Sequence, residues 1–353
     1  MEQQPLPWET QFLQFFFTTY MKRFQVFPLH FSFQKAGFTF AGQTHNDNTY
    51  TRDGSSQHLE ELLLRCGVPQ DISVGGDFVI GHDYRAIASS NPELSHDVAL
   101  SIFDTANHGF DSLFLASHVR TLLLSLLDRQ LRIERDIQPR LFEEFNAMMQ
   151  GPITRDLLEN TNPLRTVSRG AVGIHGQFHT ETGHFNFLCA GLPLFYYSRT
   201  AQTFFFLDPD KGPPLGYFSD QAAQRKPYVP HTLKLAPGDY LILATDGCFE
   251  TEWSEAACRL GPRPREPVRH FRYKANRSFE VMYSFFPQIA VLTKQRMPVL
   301  DDDGVTMFCG LMQDLLDQGL HAQQVIEAAM ERIDNSPFLR TDDRSLIVVH
   351  HPL

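Results

Sequence analysis

Cysteine is scarce and unpatterned in this chain: there are five in 353 residues (Cys66, Cys189, Cys248, Cys258 and Cys309), an odd number at irregular spacing. That argues against a disulfide framework and for a reducing compartment, the cytoplasm. Neither C-x-x-C nor H-E-x-x-H occurs, and the fifteen histidines are scattered. Zinc, which takes His and Cys ligands at tight spacing, is therefore disfavoured. Basic charge is also short. The formal net charge of −10 excludes a general nucleic-acid-binding surface, which needs a concentrated basic face. Long apolar runs are missing too. Phe12 to Met21 is too short to span a bilayer and follows acidic Glu2 and Glu9, so neither a membrane span nor a signal peptide is expected. There is no internal repeat.

What remains is the composition of a globular chain with a sizeable core, 42% hydrophobic and 20% charged, in one large domain or two smaller ones. Thirty-one phenylalanines include the clusters Phe15 to Phe17 and Phe204 to Phe206. These suit either buried apolar layers or an exposed docking surface. Phe12, Phe15, Phe16, Tyr20 and Phe24 stand at helical spacing within residues 8–24, which predicts an amphipathic helix, packed on its own domain or forming a homodimer. Residues 30–40 alternate around Ala36-Gly37 and read as a hairpin. The polar stretch 43–57 reads as a loop.

Four aspartates lie at the edges of strand-like runs: Asp77 in SVGGDF, Asp104 in ALSIFDTANHG, Asp246 in YLILATDG and Asp342 in RTDDRSLIVV. Singly, each is an ordinary turn residue beside glycine. A charged group beside an apolar strand is costly unless paired or coordinated. An all-carboxylate set suits hard cations such as Mg²⁺ and Mn²⁺. Around them the pattern predicts strands at 97–103, 171–178, 184–189, 193–197 and 345–350. Helices are predicted from about 109 to 127 and over 141–149, 152–159 and 323–333. Strands 232–235 and 240–244 read as a pair across Pro237-Gly238. The acidic run Leu300 to Gly304 reads as a turn, since it lacks the downstream glutamate of a calcium loop.

In order, these segments resemble the SpoIIE-like branch of the metal-dependent PP2C-type serine/threonine phosphatases. The resemblance covers about residues 71–350. It rests on VGGDF at 74–78, DTANHG at 104–109 leading into a helix, T-G at 182–183, AGLPL at 190–194, PLG at 214–216, PGD through TDG at 237–247, and DDRS at 342–345. The chain departs at Asn107 and Leu192, where the family has glycine and histidine, and at Ser345, where it has threonine. The resemblance implies an α+β fold, an αββα sandwich of two antiparallel sheets flanked by helices. It also implies a centre of two divalent cations, Mn²⁺ or Mg²⁺. There Asp77 would bind the first ion and Asp104 both, the Thr105 carbonyl would join the first, and Asp246 and Asp342 would hold the second. A metal-activated water would then attack a phosphoserine or phosphothreonine ester. His108 is either a proton donor to the leaving oxygen or a turn histidine. By the same resemblance the substrate is a phosphorylated regulatory protein of the partner-switching type.

The expected organisation is an amino-terminal segment, 1–70, that regulates or completes the core, followed by a phosphatase-like domain, 71–353. Against the family, residues at about 252–300 are an insertion. Its basic run carries Arg263, Arg265, Arg269 and Arg272, either a flap that docks an acidic or phosphorylated partner or a solvated loop. Two rival functions are a catalytically silent interaction module on the same fold and a hydrolase of small phosphoesters.

Overall fold

A computed structural model describes residues 30–45, 76–84, 97–105, 116, 119–123, 125–126, 139–151, 170–210, 212–217, 226–249, 262–272, 278–280, 297, 299–300, 302–334 and 343–353. The first hairpin forms as its alternation predicts. Strands β1 (His30–Lys35) and β2 (Phe38–His45) pair antiparallel. Ala36 and Gly37 between them carry φ of 48° and 86°, positive at both positions as a two-residue turn matching strand twist requires. β2 runs two residues past Gln43, because Thr44 and His45 pair with Ser345 and Arg344. The expected loop therefore starts later than residue 43.

The remaining strands are β3 (Phe78–Asp83), β4 (Asp97–Thr105), β5 (Ala171–His179), β6 (His184–Ala190), β7 (Leu194–Ser198), β8 (Thr203–Asp208), β9 (His231–Lys234), β10 (Tyr240–Ala244), β11 (Arg269–Arg272), β12 (Ser278–Glu280) and β13 (Arg344–His350). One sheet has the order β1-β2-β13-β10-β7-β8-β11 and the other β12-β9-β6-β5-β4-β3. Among the described residues every strand pairing is antiparallel except β8 with β11 and β9 with β12. In the first sheet β7, β10 and β13 are buried along their whole length. They read as near-continuous apolar runs because both faces are covered.

Alternate residues of β13 show what covers them. Ile347 and Val349 enter the core between the sheets with Phe40, Val98, Phe178 and Leu241. Leu346 and Val348 face outward, against helices α2 (Asp303–Asp317) and α3 (Ala322–Asp334), through Phe308, Met312, Ile326 and Met330. On the outer face of the second sheet, Phe78, Phe103 and Leu188 pack on α1 (Arg140–Met149) through Phe142 and Phe145. Helical residues Val119, Leu123 and Leu126 join them at the three-to-four spacing of one helix face. The result is the αββα layering expected from the motifs. Phe204 to Phe206 belong to β8, with Phe204 and Phe205 fully buried.

Two expectations are corrected. β9 and β10 are not a pair: β10 lies between β13 and β7 in the first sheet, while β9 lies between β6 and β12 in the second. Both edges of each strand are already taken. The Pro237-Gly238 turn therefore carries the chain from one sheet to the other, with Gly238 at φ 85°. Asp302 to Gly304 of the acidic run form a helix start, not a free turn. The Asp302 carboxylate accepts from the Val305 N–H at 3.0 Å and caps α2.

The insertion closes one lateral edge of the sandwich. It supplies β11 to the first sheet and β12 to the second, and Phe271 and Phe279 meet between them at a ring-centroid distance of 4.9 Å. At the opposite edge Phe31 of β1 lies over Gly42 of β2 and Gly81 of β3. A Cβ on either glycine would come within 2.3 Å of the Phe31 ring. The helices expected at 8–24 and 152–159 lie outside the described residues.

Candidate active site

Pairing of Phe78 with Phe103 sets the register of β3 against β4. One rung further, Asp77 stands level with Asp104. Asp77 is buried, 4% exposed, and Asp104 is half-buried. In the first sheet β10 ends at Ala244, opposite Leu346. Its ladder runs one residue on, with the Thr245 N–H donating to the Ser345 carbonyl at 3.0 Å. The chain then turns through a single 3-10 turn, Asp246–Cys248, which begins with the third aspartate. Gly247 is required here, since a Cβ would lie 1.9 Å from the Asp343 carbonyl oxygen.

Hydrogen bonds tie these segments together across the two sheets. The Thr245 hydroxyl donates to Asp77 Oδ2 at 2.6 Å and accepts from the Ser345 N–H at 2.8 Å. The Gly76 N–H donates to Asp343 Oδ2 at 2.7 Å, and the Thr105 hydroxyl donates to the Gly76 carbonyl at 2.9 Å. Behind them the Thr44 and Ser345 hydroxyls are 2.8 Å apart. The serine that replaces the family's threonine thus keeps a hydroxyl that is used. Cys248 is buried, with Sγ 3.5 Å from the Ser345 carbonyl.

Asp77, the Asp104-Thr105 strand end, Thr245-Asp246 and Asp343 to Ser345 are therefore brought to one end of the sandwich. Asp342, Asn107 and His108 lie outside the described residues. Leu192 is buried in the core between the sheets, 3% exposed, an apolar setting that suits leucine. The four arginines of the basic run are elsewhere. Arg263 pairs with Asp303 at 2.8 Å and Arg265 with Asp317 at 2.9 Å, both on α2. Arg269 donates to the Met297 carbonyl at 3.2 Å. Arg272, the exposed last residue of β11, is 3.6 Å from Asp208. Strand register puts Arg272 at the same end of the first sheet as Asp246 but three strands away, about 14 Å at ordinary strand spacing.

The donor chemistry of the strand ends fits a hard cation: carboxylates, hydroxyls and carbonyls converge there, and the Cys248 thiol is turned to a backbone carbonyl. Among the described residues, no group of three or more His, Cys, Asp or Glu side chains forms a ready cage. Three polar residues here were not anticipated from the motifs: Thr44, Thr245 and Asp343. Thr245 and Asp343 are letters of TDG and DDRS that the metal-ligand reading passes over. Thr44 carries no local signal, lying far from Ser345 in the chain. Among the described residues no helix is long and apolar enough to cross a membrane.

No curated protein sequence matches the chain. Solved structures similar to it include the RsbU and RsbW domains of a Mycobacterium tuberculosis protein, at 16% identity and TM-score 0.45, over 81% of this chain but 59% of that one. The PP2C phosphatase domain of Bacillus subtilis SpoIIE, with a fragment of its regulatory domain, aligns at 15% identity and TM-score 0.44, over 97% of this chain and 88% of that one. RsbX in complex with magnesium aligns at 12% identity and TM-score 0.46, over 91% and 98%. The family model for stage II sporulation protein E matches residues 95–273, just over half of the 353-residue chain. The chain belongs to the SpoIIE family, the branch of PP2C-type phosphatases that its ordered motifs resemble.

Proposed function

We propose that this protein is a divalent-metal-dependent phosphatase of phosphoserine and phosphothreonine in a protein substrate. The observation that carries the reading is the hydrogen bond from Thr245, beside Asp246, to Asp77, which itself stands level with Asp104. Three motif segments far apart in sequence supply carboxylates to one end of the fold, which supports a shared cation site. Asp77, Asp104, Asp246 and Asp342, with the Thr105 carbonyl, would hold two ions, Mn²⁺ or Mg²⁺. When bound, such a pair supplies an acidified water and neutralises charge on the phosphoryl oxygens. The chain's own part is to hold these carboxylates at the ends of buried strands, where their orientation is set before substrate arrives. His108 is our candidate proton donor to the leaving serine or threonine oxygen.

Family membership supports a phosphorylated signalling regulator of the partner-switching kind as substrate, and the sparse cysteines support a cytoplasmic setting. Residues 71–353 form the catalytic body in this reading, with β1 and β2 of the preceding segment completing its first sheet. The helix expected over residues 8–24 is a candidate dimer contact. Arg272, exposed at the edge of the sheet that carries Asp246, is the basic residue best placed to meet an acidic substrate.

The test is Mn²⁺-dependent hydrolysis of an aryl phosphate and of phosphoserine peptides, with Asp104→Asn as control. Turnover that needs the metal and disappears in the variant supports the enzyme. A chain that hydrolyses neither substrate but still captures phosphorylated protein is the silent interaction module instead. Strong preference for small phosphometabolites over phosphopeptides would replace the substrate class.

A further inference from the structure

We propose that Thr245 is the positioning residue for Asp77, setting the carboxylate's orientation toward a divalent cation; the assignment rests on the phosphatase reading above. Thr245 is fully buried at the meeting point of the two sheets. Its hydroxyl has one proton to give. The Ser345 N–H, 2.8 Å away, takes the acceptor side of the oxygen, so that proton is left for Asp77 Oδ2 at 2.6 Å. The order is therefore Ser345 N–H to Thr245 Oγ1–H to Asp77 Oδ2, ending in a short charge-assisted bond.

The backbone before Asp77 is held by other groups. The Gly76 N–H is bound by Asp343 Oδ2 and the Gly76 carbonyl by the Thr105 hydroxyl. With the loop pinned on both sides of that residue, what Thr245 adds is control of the Asp77 side-chain torsions. Groups that hold a metal ligand by hydrogen bonds usually contribute 10–100-fold in affinity or activity, although they never touch the ion. Because Thr245 belongs to the first sheet and Asp77 to the second, the same bond makes the carboxylate's orientation depend on the packing of one sheet on the other.

The experiment is a Mn²⁺ titration of the metal-free protein, followed by electron paramagnetic resonance of the free ion and needing no turnover. Near-UV circular dichroism checks folding. Thr245→Val keeps the shape and removes the donor; it should weaken Mn²⁺ binding about 10–100-fold, while Thr245→Ser should stay within about threefold of the natural chain. In an Asp77→Asn background, Thr245→Val should cause no further loss, because its effect passes through that carboxylate. If Thr245→Val does not fold, Thr245→Cys, with its weak S–H donor, makes the same comparison. Wild-type affinity in the variant that lacks the hydroxyl overturns the assignment, as does an undiminished loss in the Asp77→Asn background. Absence of any Mn²⁺ uptake by the unaltered protein overturns the metal-dependent reading and this assignment with it.

Discussion

Asp77 and Asp239 are both aspartates that follow glycine, both immediately precede a strand, and both are buried, at 4% and 2% exposure. They lie at opposite ends of the sandwich. Asp239 precedes β10, whose far end leads to Thr245, the residue bound to Asp77. Six residues of extended chain separate the two ends, about 20 Å. Around Asp239, Tyr196 donates its hydroxyl to Oδ2 at 2.6 Å and the Arg199 N–H donates to Oδ1 at 3.0 Å. Burial outweighs these donors and pushes the Asp239 carboxyl up to about 7. Asp77 instead has Asp104 level with it and the Asp246 turn next to its hydroxyl partner. The same dipeptide is thus a lock at one end and a candidate ligand at the other. The difference lies in what the neighbouring strand ends bring.

Removing the two charges in turn should separate the two sites most strongly. Asp77→Asn should lower Mn²⁺-dependent turnover by more than about 100-fold, since losing a ligand should cost more than losing its supporting partner. Asp239→Asn should leave turnover within about twofold. Equal losses in the two variants would remove the distinction. Next in size is Tyr196→Phe, which deprives the buried Asp239 carboxylate of its best donor. Chemical denaturation should show a loss of about 1–3 kcal/mol, with Mn²⁺ affinity unchanged; a variant as stable as the natural chain would mean that Asp239 is not held by Tyr196.

A pH series sharpens the same contrast. Because the Asp239 carboxyl is raised from 3.8 to about 7, the folded state holds this proton more tightly than the unfolded one. Its contribution to stability therefore falls as pH rises from about 4 to 7. The melting temperature of Asp239→Asn relative to the natural chain should accordingly climb between pH 5 and pH 8, and a flat difference would refute the assignment. The acid side has another origin: burial pushes His175, bonded to Ser101 at 2.8 Å, down to about 3. The unfolded histidine gains a proton below about 6.5 and the folded one does not, so this group opposes folding increasingly as pH falls from 6.5 toward 3.

The smallest effects belong to the basic run. Arg272→Ser should raise KM for a phosphoprotein and spare an aryl phosphate. Arg263→Ser, which breaks an exposed pair with Asp303 of α2, should cost at most about 1 kcal/mol of stability. An unchanged KM in Arg272→Ser ends the docking role.

Much of the layering was legible in the sequence. Alternation around Ala36-Gly37 announced the first hairpin, and helices were expected over 141–149 and 323–333, where α1 and α3 form. Strand partners were less legible. The segments 232–235 and 240–244 looked like a hairpin because a Pro-Gly turn joins them, but turn chemistry reports a change of direction, not which edges are vacant. The insertion looked like a charged flap because its arginines dominate the composition. Its structural content is in Phe271 and Phe279, which each sheet receives on a short parallel strand. At the candidate site, Asp77, Asp104 and Asp246 were found from motif order, whereas Thr44 could not be.

By itself the sequence determined the residue types on offer: oxygen donors without a zinc-type cluster, apolar strands that must be covered on both faces, and four aspartates at strand edges. Those are properties of local pattern and donor chemistry. Only the tertiary structure decided which aspartate faces its fellows and which is shut away behind Tyr196. Both lie in Gly-Asp steps before buried strands, and nothing local separates them. The choice is made by strand register and by the packing of one sheet on the other, which join residues hundreds of positions apart.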